Sequence, residues 1–172
     1  MKKTVFTIMM VGLAASAFGQ AAYLKVAAAE SRSSRSGSYY STNVEREEVY
    51  NVTVKNMTPT AYEYTVEWMF LVRPAAGGGK AVPFHVDEKK LTLEKNASAT
   101  IEVRSPTLTS TESKDYYYSY YGGSTITGLK FAGYVVRVKA NDKILAVDAS
   151  DTTLKRHYED PKAKWGMPQP QP

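Results

Sequence analysis

The chain has 172 residues, no cysteine, two histidines, and 22 Lys and Arg against 17 Asp and Glu. Without cysteine there are no disulfide staples, no thiol catalysis and no cysteine-ligated zinc, so stability rests on one core of ordinary size. The formal charge of +5 drops to +3 without Lys2 and Lys3, which is solubility charge and not a nucleic-acid footprint.

Met1 to Ala21 has the three parts of a secretory signal: Lys2 and Lys3, the apolar run Val5 to Ala17, and small residues closing it at Ala17-Phe18-Gly19. The run is shorter than the roughly 20 apolar residues a membrane-spanning helix needs. Cleavage is expected between Gly19 and Gln20, with a cut after Ala21 as the alternative. No cysteine is present to acylate, so the mature chain is expected to be extracytoplasmic (periplasmic, cell-surface or secreted) and free of membrane insertion.

The ordered segments that follow alternate with period two, and none holds a 3.6-residue period. Tyr23 to Ala29 reads as a first strand, and Ser31 to Thr42, rich in Ser, Arg and Tyr, as a mobile loop. Glu45 to Asn56 alternates Tyr50, Val52 and Val54 with polar residues, and Pro59 breaks the ladder after it. Ala61 to Arg73 is the clearest strand, with Tyr62, Tyr64, Val66, Trp68, Phe70 and Val72 on one face.

Further on, Ala81 to Val86 reads as an edge strand marked by Pro83, followed by Lys89 to Glu94 and Ser98 to Arg104, with Leu91, Leu93, Ile101 and Val103 inward. Lys130 to Ala140 and Lys143 to Ala149 flank Asn141-Asp142, a two-residue hairpin signal. The tail ends in Pro-Gln-Pro-Gln-Pro. The expected organisation is a signal over 1–19, an antiparallel two-sheet β-sandwich of about seven or eight strands over 22–155, and a disordered Pro/Gln-rich tail over 156–172.

Trp68, mid-strand, and Tyr134 with Val136 two residues later make this arrangement resemble an immunoglobulin-like or fibronectin-III-like domain. The resemblance covers about residues 23–151. It implies a Trp buried between the sheets and Val136 packed with Val52 or Val54 where immunoglobulin domains place a disulfide. It implies an architecture and no activity.

The segment Asp115 to Gly128 is the leading site candidate. Tyr116, Tyr117, Tyr118, Tyr120 and Tyr121 place five of the thirteen tyrosines within it, mixed with Ser and Gly. That is the composition of antibody-like binding loops, where Tyr gives large amphipathic contact area at low entropy cost. The competing reading is a strand whose alternate rings cover the core. Tyr39, Tyr40, Arg32 and Arg35 could extend the surface.

Other motifs carry less. Gly77-Gly78-Gly79-Lys80 lacks the following Ser or Thr and helix of a phosphate loop. His85 reads as a half-exposed strand residue, and Glu45, Glu47 and Glu48 around Arg46 as edge solvation. Asp142, Asp148 and Asp151 lack calcium-loop spacing. Three sequons at Asn51, Asn56 and Asn96 read as chance matches.

No cofactor, metal or catalytic residue is expected, and the chain is not expected to be an enzyme. The expected role is a binding module that recognises a protein or glycan through the Tyr-rich loop. The alternative is a structural or accessory subunit of a surface fibre, pilus or envelope complex, assembled through an edge strand such as the N-terminal one, or through the tail.

Overall fold

The computed structural model describes residues 21–29, 31–114 and 124–166. The signal over 1–19 and the final residues from Met167 lie outside them. In chain order the strands are β1 (Ala22–Ala28), β2 (Arg32–Ser38), β3 (Ser41–Glu47), β4 (Val49–Asn56), β5 (Tyr62–Pro74), β6 (Val82–Leu93), β7 (Ser98–Arg104), β8 (Leu108–Lys114), β9 (Ser124–Ala140) and β10 (Lys143–Ala149). One helix, α1 (Thr152–Glu159), follows.

Two antiparallel sheets form a sandwich. The smaller has the order β1-β4-β7, and the larger runs β2-β3-β8-β9-β5-β6, with β10 also on β9. The apolar alternation of β4 and β5 explains why these strands sit centrally. Val52 and Val54 face Tyr64, Val66, Trp68 and Phe70 across the layer, with Ile101, Val103, Val136 and Val138 completing the core. Trp68 is 9% exposed.

The other face of β5 is also dry, because the chain returns over it. Met69, Leu71, Val135 and Val147 form a second cluster, closed by Leu154 and Tyr158 of α1 and by Ala163 and Trp165 beyond it. Asp151 caps the helix by accepting the N–H groups of Thr153 and Leu154. The ordered chain therefore does not stop at 155: the helix crosses that boundary, and Tyr158 and Trp165 lie in the stretch expected to be a disordered tail. Period-three spacing over so short a helix is swamped by its polar residues, which is why the sequence conceals it.

Ser31 to Thr42 is likewise not a loop. β2 and β3 pair from Arg32↔Glu47 to Ser38↔Ser41 around the turn Tyr39-Tyr40. Gly37 allows that turn, since it has φ +132 and a Cβ there would lie 2.1 Å from the Ser41 carbonyl oxygen. The span expected as one strand, Glu45 to Asn56, is two strands broken at Glu48. The spans Ala81 to Val86 and Lys89 to Glu94 are one strand, β6. It is an edge as expected, with a register shift near Pro83.

β9 bends the large sheet into two parts. Its C-terminal portion pairs with β5 and β10, whereas Ser124–Gly128 pairs with β8. Together β2, β3, β8 and this first portion of β9 form a polar ribbon. Every residue of β2 is exposed, and the burial that exists lies near Leu108, where the ribbon joins the body.

Candidate functional site

Tyr116, Tyr117, Tyr118, Tyr120 and Tyr121 lie outside the described residues. The ends of the segment that carries them are placed. β8 and β9 are antiparallel and reach Lys114↔Ser124 as their last pair, so the Tyr-rich connection joins the two strand ends at the ribbon tip.

A second hairpin ends at the same place. The Tyr40 carbonyl accepts the backbone N–H of Lys114 at 2.8 Å, and the Lys114 ammonium lies 5.0 Å from the centre of the Tyr39 ring. Tyr39 and Tyr40 meet edge-on at 5.3 Å between ring centres, and they are 72% and 48% exposed. Large aromatic rings exposed to water at a turn contribute little to a core.

The arginines offered with them are not brought to this tip. Arg32 pairs with Glu47 at the far end of the hairpin, six residues from Ser38, or about 20 Å along the strand. Arg35 lies midway. A sequence signal for the tip did exist: Gly37 just before Ser38-Tyr39-Tyr40-Ser41 is turn chemistry, but the flanking serines give no apolar alternation to set the strands.

Where the ribbon leaves the body there is a small cleft of about 230 Å³, with Val44, Leu108, Leu129 and Phe131 as apolar walls and Arg46 and Lys130 at the rim. Gly128 sits at this bend with φ +94, where a Cβ would lie 2.4 Å from the Thr109 carbonyl oxygen.

Charged groups inside the domain are paired. Glu48 is buried, and its carboxylate meets the Arg46 guanidinium at 2.5 Å, which corrects its reading as edge solvation. Glu47 and Glu45 stay out of the core, near Arg104 and Ser34 respectively, but they stand on β3, which lies between β2 and β8 and is not a sheet edge. On the outer face Glu67 binds Arg137 and, at 3.3 Å, the Lys139 ammonium, while the Trp165 ring covers the guanidinium at 3.9 Å. Glu67 and Arg137 are buried beneath the Trp165 ring, while Lys139 stays partly exposed.

Burial pushes the Tyr50 phenol up to about 12, helped by the neighbouring Glu48 carboxylate and Tyr134. Its ring lies 4.5 Å from that of Tyr134, centre to centre. Such a phenol stays protonated and serves packing. His85 lies half-buried on β6 beside Phe70, with ring centres 6.4 Å apart. Asp151 is spent on its cap, and Asp148 accepts the N–H of Ala149. Among the described residues no three His, Asp or Glu side chains cluster as metal ligands would.

The sequons differ in what surrounds them. Asn56 is fully buried and its side-chain amide donates to backbone carbonyls, so it cannot accept a glycan in the folded protein. Asn51 and Asn96 are exposed.

No protein-family model matches the chain, and neither does any curated protein sequence. Solved structures of similar shape are remote. A putative beta-galactosidase from Bacteroides fragilis shares 13% identity over 70% of this chain and 15% of its own, at a TM-score of 0.35. A protein from Akkermansia muciniphila shares 12% over 80% of this chain and 75% of its own, at 0.33. Beta-glucosidase from Kluyveromyces marxianus, solved with glucose, shares 14% over 74% of this chain and 14% of its own, at 0.32. The chain thus spans a small part of both glycosidases. Likeness at this level assigns neither activity nor substrate.

Proposed function

We propose that this chain is an exported, non-catalytic recognition module, an immunoglobulin-like or fibronectin-III-like sandwich that binds an extracytoplasmic protein or glycan at the ribbon tip. The observation that carries the reading is the meeting of two hairpin ends. The exposed Tyr39-Tyr40 turn lies against Lys114, where the Tyr-rich connection begins.

Strand order supports the architectural half. β1, β4 and β7 fall in the order of strands A, B and E, while β5, β9 and β10 fall in the order of C, F and G. Trp68 on β5 then takes the place of the strand-C tryptophan, and Val136 packs in one core with Val52 and Val54. In this scheme the ribbon is an addition to the sandwich, built from strands between A and B and between E and F.

Replacing Tyr117, Tyr118 and Tyr120 with Ser, alone and together with Tyr39→Ser, tests the recognition half. The mature protein is expected to capture a defined envelope protein or polysaccharide that the variants lose, with melting temperatures nearly unchanged. Variants that unfold, or that capture the same ligand as well as the parent, would overturn it.

One feature favours a structural subunit as the second reading. β2 is an edge strand exposed along its whole length, so its outer backbone groups can pair with another chain. The N-terminal strand is a poorer donor, because β1 already pairs with β4 from Ala22↔Asn56 to Ala28↔Tyr50. Concentration-dependent oligomers lost on Ser34→Pro would be the signature of that role.

A further inference from the structure

The cleft at the base of the ribbon has its origin in strand pairing. β8 and β9 stay paired from Lys114↔Ser124 to Ser110↔Gly128, and there β9 turns away to pair with β5 from Pro74↔Leu129 onward. β10 joins β9 only from Val135. Among the described residues, the side of β9 that β8 leaves therefore carries no strand between Gly128 and Val135. Leu129 and Phe131 of β9 face Leu108 of β8 and Val44 of β3 across this gap.

The walls still show apolar surface to water. Leu129 is 37% exposed, and Val44 and Phe131 are half-buried. A ligand seated here would cover that surface. At about 230 Å³ the cleft is smaller than the roughly 300–1,000 Å³ of sites for drug-sized molecules, so its occupant has on the order of ten non-hydrogen atoms.

Two cations stand at the rim, and each is held in place. Glu48 lies two residues beyond Arg46, and its buried carboxylate meets Arg46 Nε at 2.5 Å while the guanidinium stays largely exposed. Contact through Nε leaves the two terminal amino groups of the fork to donate outward, in a geometry that suits a carboxylate. The Lys130 ammonium donates one proton to the Ala75 carbonyl at 3.2 Å and keeps two for a further acceptor. No acidic side chain lines the cleft, and Glu48 is already matched by Arg46, so the site keeps a net positive charge.

The geometry points to a second binding site: the cleft takes a small monocarboxylate with a compact apolar body, aryl or branched acyl. Its carboxylate lies between Arg46 and Lys130, and its body packs on Leu108, Leu129 and Phe131. A bare inorganic anion would leave the walls wet, and an uncharged body would leave the rim cations unmatched. The site is separate from the ribbon tip, since Leu108 precedes Lys114 by six residues of β8, or about 20 Å along the strand. It depends on neither the export reading nor recognition at the tip.

The probes are hydrocinnamate and isocaproate, titrated into the protein while its Val and Leu methyl groups are followed by NMR. Saturable shifts are expected at Val44, Leu108 and Leu129, with dissociation constants on the order of 0.1 to 1 mM for ligands this small. Hydrocinnamamide, which has the same body and no charge, should bind at least about tenfold more weakly. Binding should also fade as pH falls and the ligand's own carboxyl becomes protonated.

Lys130→Met should weaken hydrocinnamate binding about tenfold. Arg46→Lys keeps the positive charge that Glu48 needs but removes the planar fork, and should weaken binding by a similar factor. Leu129→Glu, at an exposed wall position, should abolish binding with the melting temperature nearly unchanged, which separates loss of the site from loss of the fold. Absence of saturable shifts with both carboxylates up to about 10 mM would overturn the inference. So would equal affinity for the amide, equal shifts with inorganic phosphate, or binding that survives Leu129→Glu.

Discussion

The sandwich body and the ribbon are built from the same kind of strand and held by different forces. In the body, β5 is dry on both faces: Trp68 and Phe70 look into the space between the sheets, while Met69 and Leu71 lie under α1. In the ribbon, β2 has no buried residue, and the cross-strand contacts are small polar ones, such as Thr111 donating to Asn43 at 2.8 Å. Burial stabilises the first by tens of small apolar contacts, whereas the second depends on its backbone ladder and on attachment near Leu108. A region with little burial tolerates change at its tip, and that is where exposed tyrosines cost the fold least.

The largest effect expected from this contrast is in the body. Trp68→Ala should cost about 3–5 kcal/mol in chemical denaturation, because a large ring leaves a cavity between two sheets that cannot collapse around it. A nearly silent result would place the core elsewhere. Somewhat less is expected from Arg137→Met, at about 3 kcal/mol, near the low end for breaking a buried pair because Lys139 still reaches Glu67 at 3.3 Å. Trp165 should report the same event by a change in fluorescence, since its ring covers the guanidinium.

These two regions also differ in how legible they were. The body could be read from sequence because burial imposes a period: Tyr64, Val66, Trp68 and Phe70 must alternate if one face of β5 is to meet the opposite sheet, and Asn141-Asp142 can form its tight turn with positive φ at both residues. Period-two burial is absent from β2, so Arg32 to Ser38 carries no such signal, and its pairing with β3 follows from Gly37 and the two-residue turn. The sequence conceals the helix for a related reason. Tyr158 is its one buried residue, and the apolar stripe is completed by Trp165 from outside the helix.

Candidate sites followed the same division. Composition singles out Tyr39 and Tyr40, but nothing local to them indicates Lys114 as a neighbour, because that contact spans the pairing of β3 with β8. Arg32 is close to them in sequence, but the extended hairpin carries it to the opposite end. The burial of Glu48 is hidden in the sequence by its charged neighbours, Arg46, which is exposed, and Glu47, which is half-buried.

Amide hydrogen exchange on the mature protein tests most directly whether body and ribbon are energetically separate, as recognition at a tip independent of the core requires. Amides of β5 and of β9 beyond Lys130 are expected to exchange only through global unfolding, while those of β2, β3 and β8 exchange through local opening at distinctly lower free energy. Ribbon amides protected to the same limit as β5 would contradict the account, since the ribbon would then be part of the core and its tyrosines part of what holds the fold.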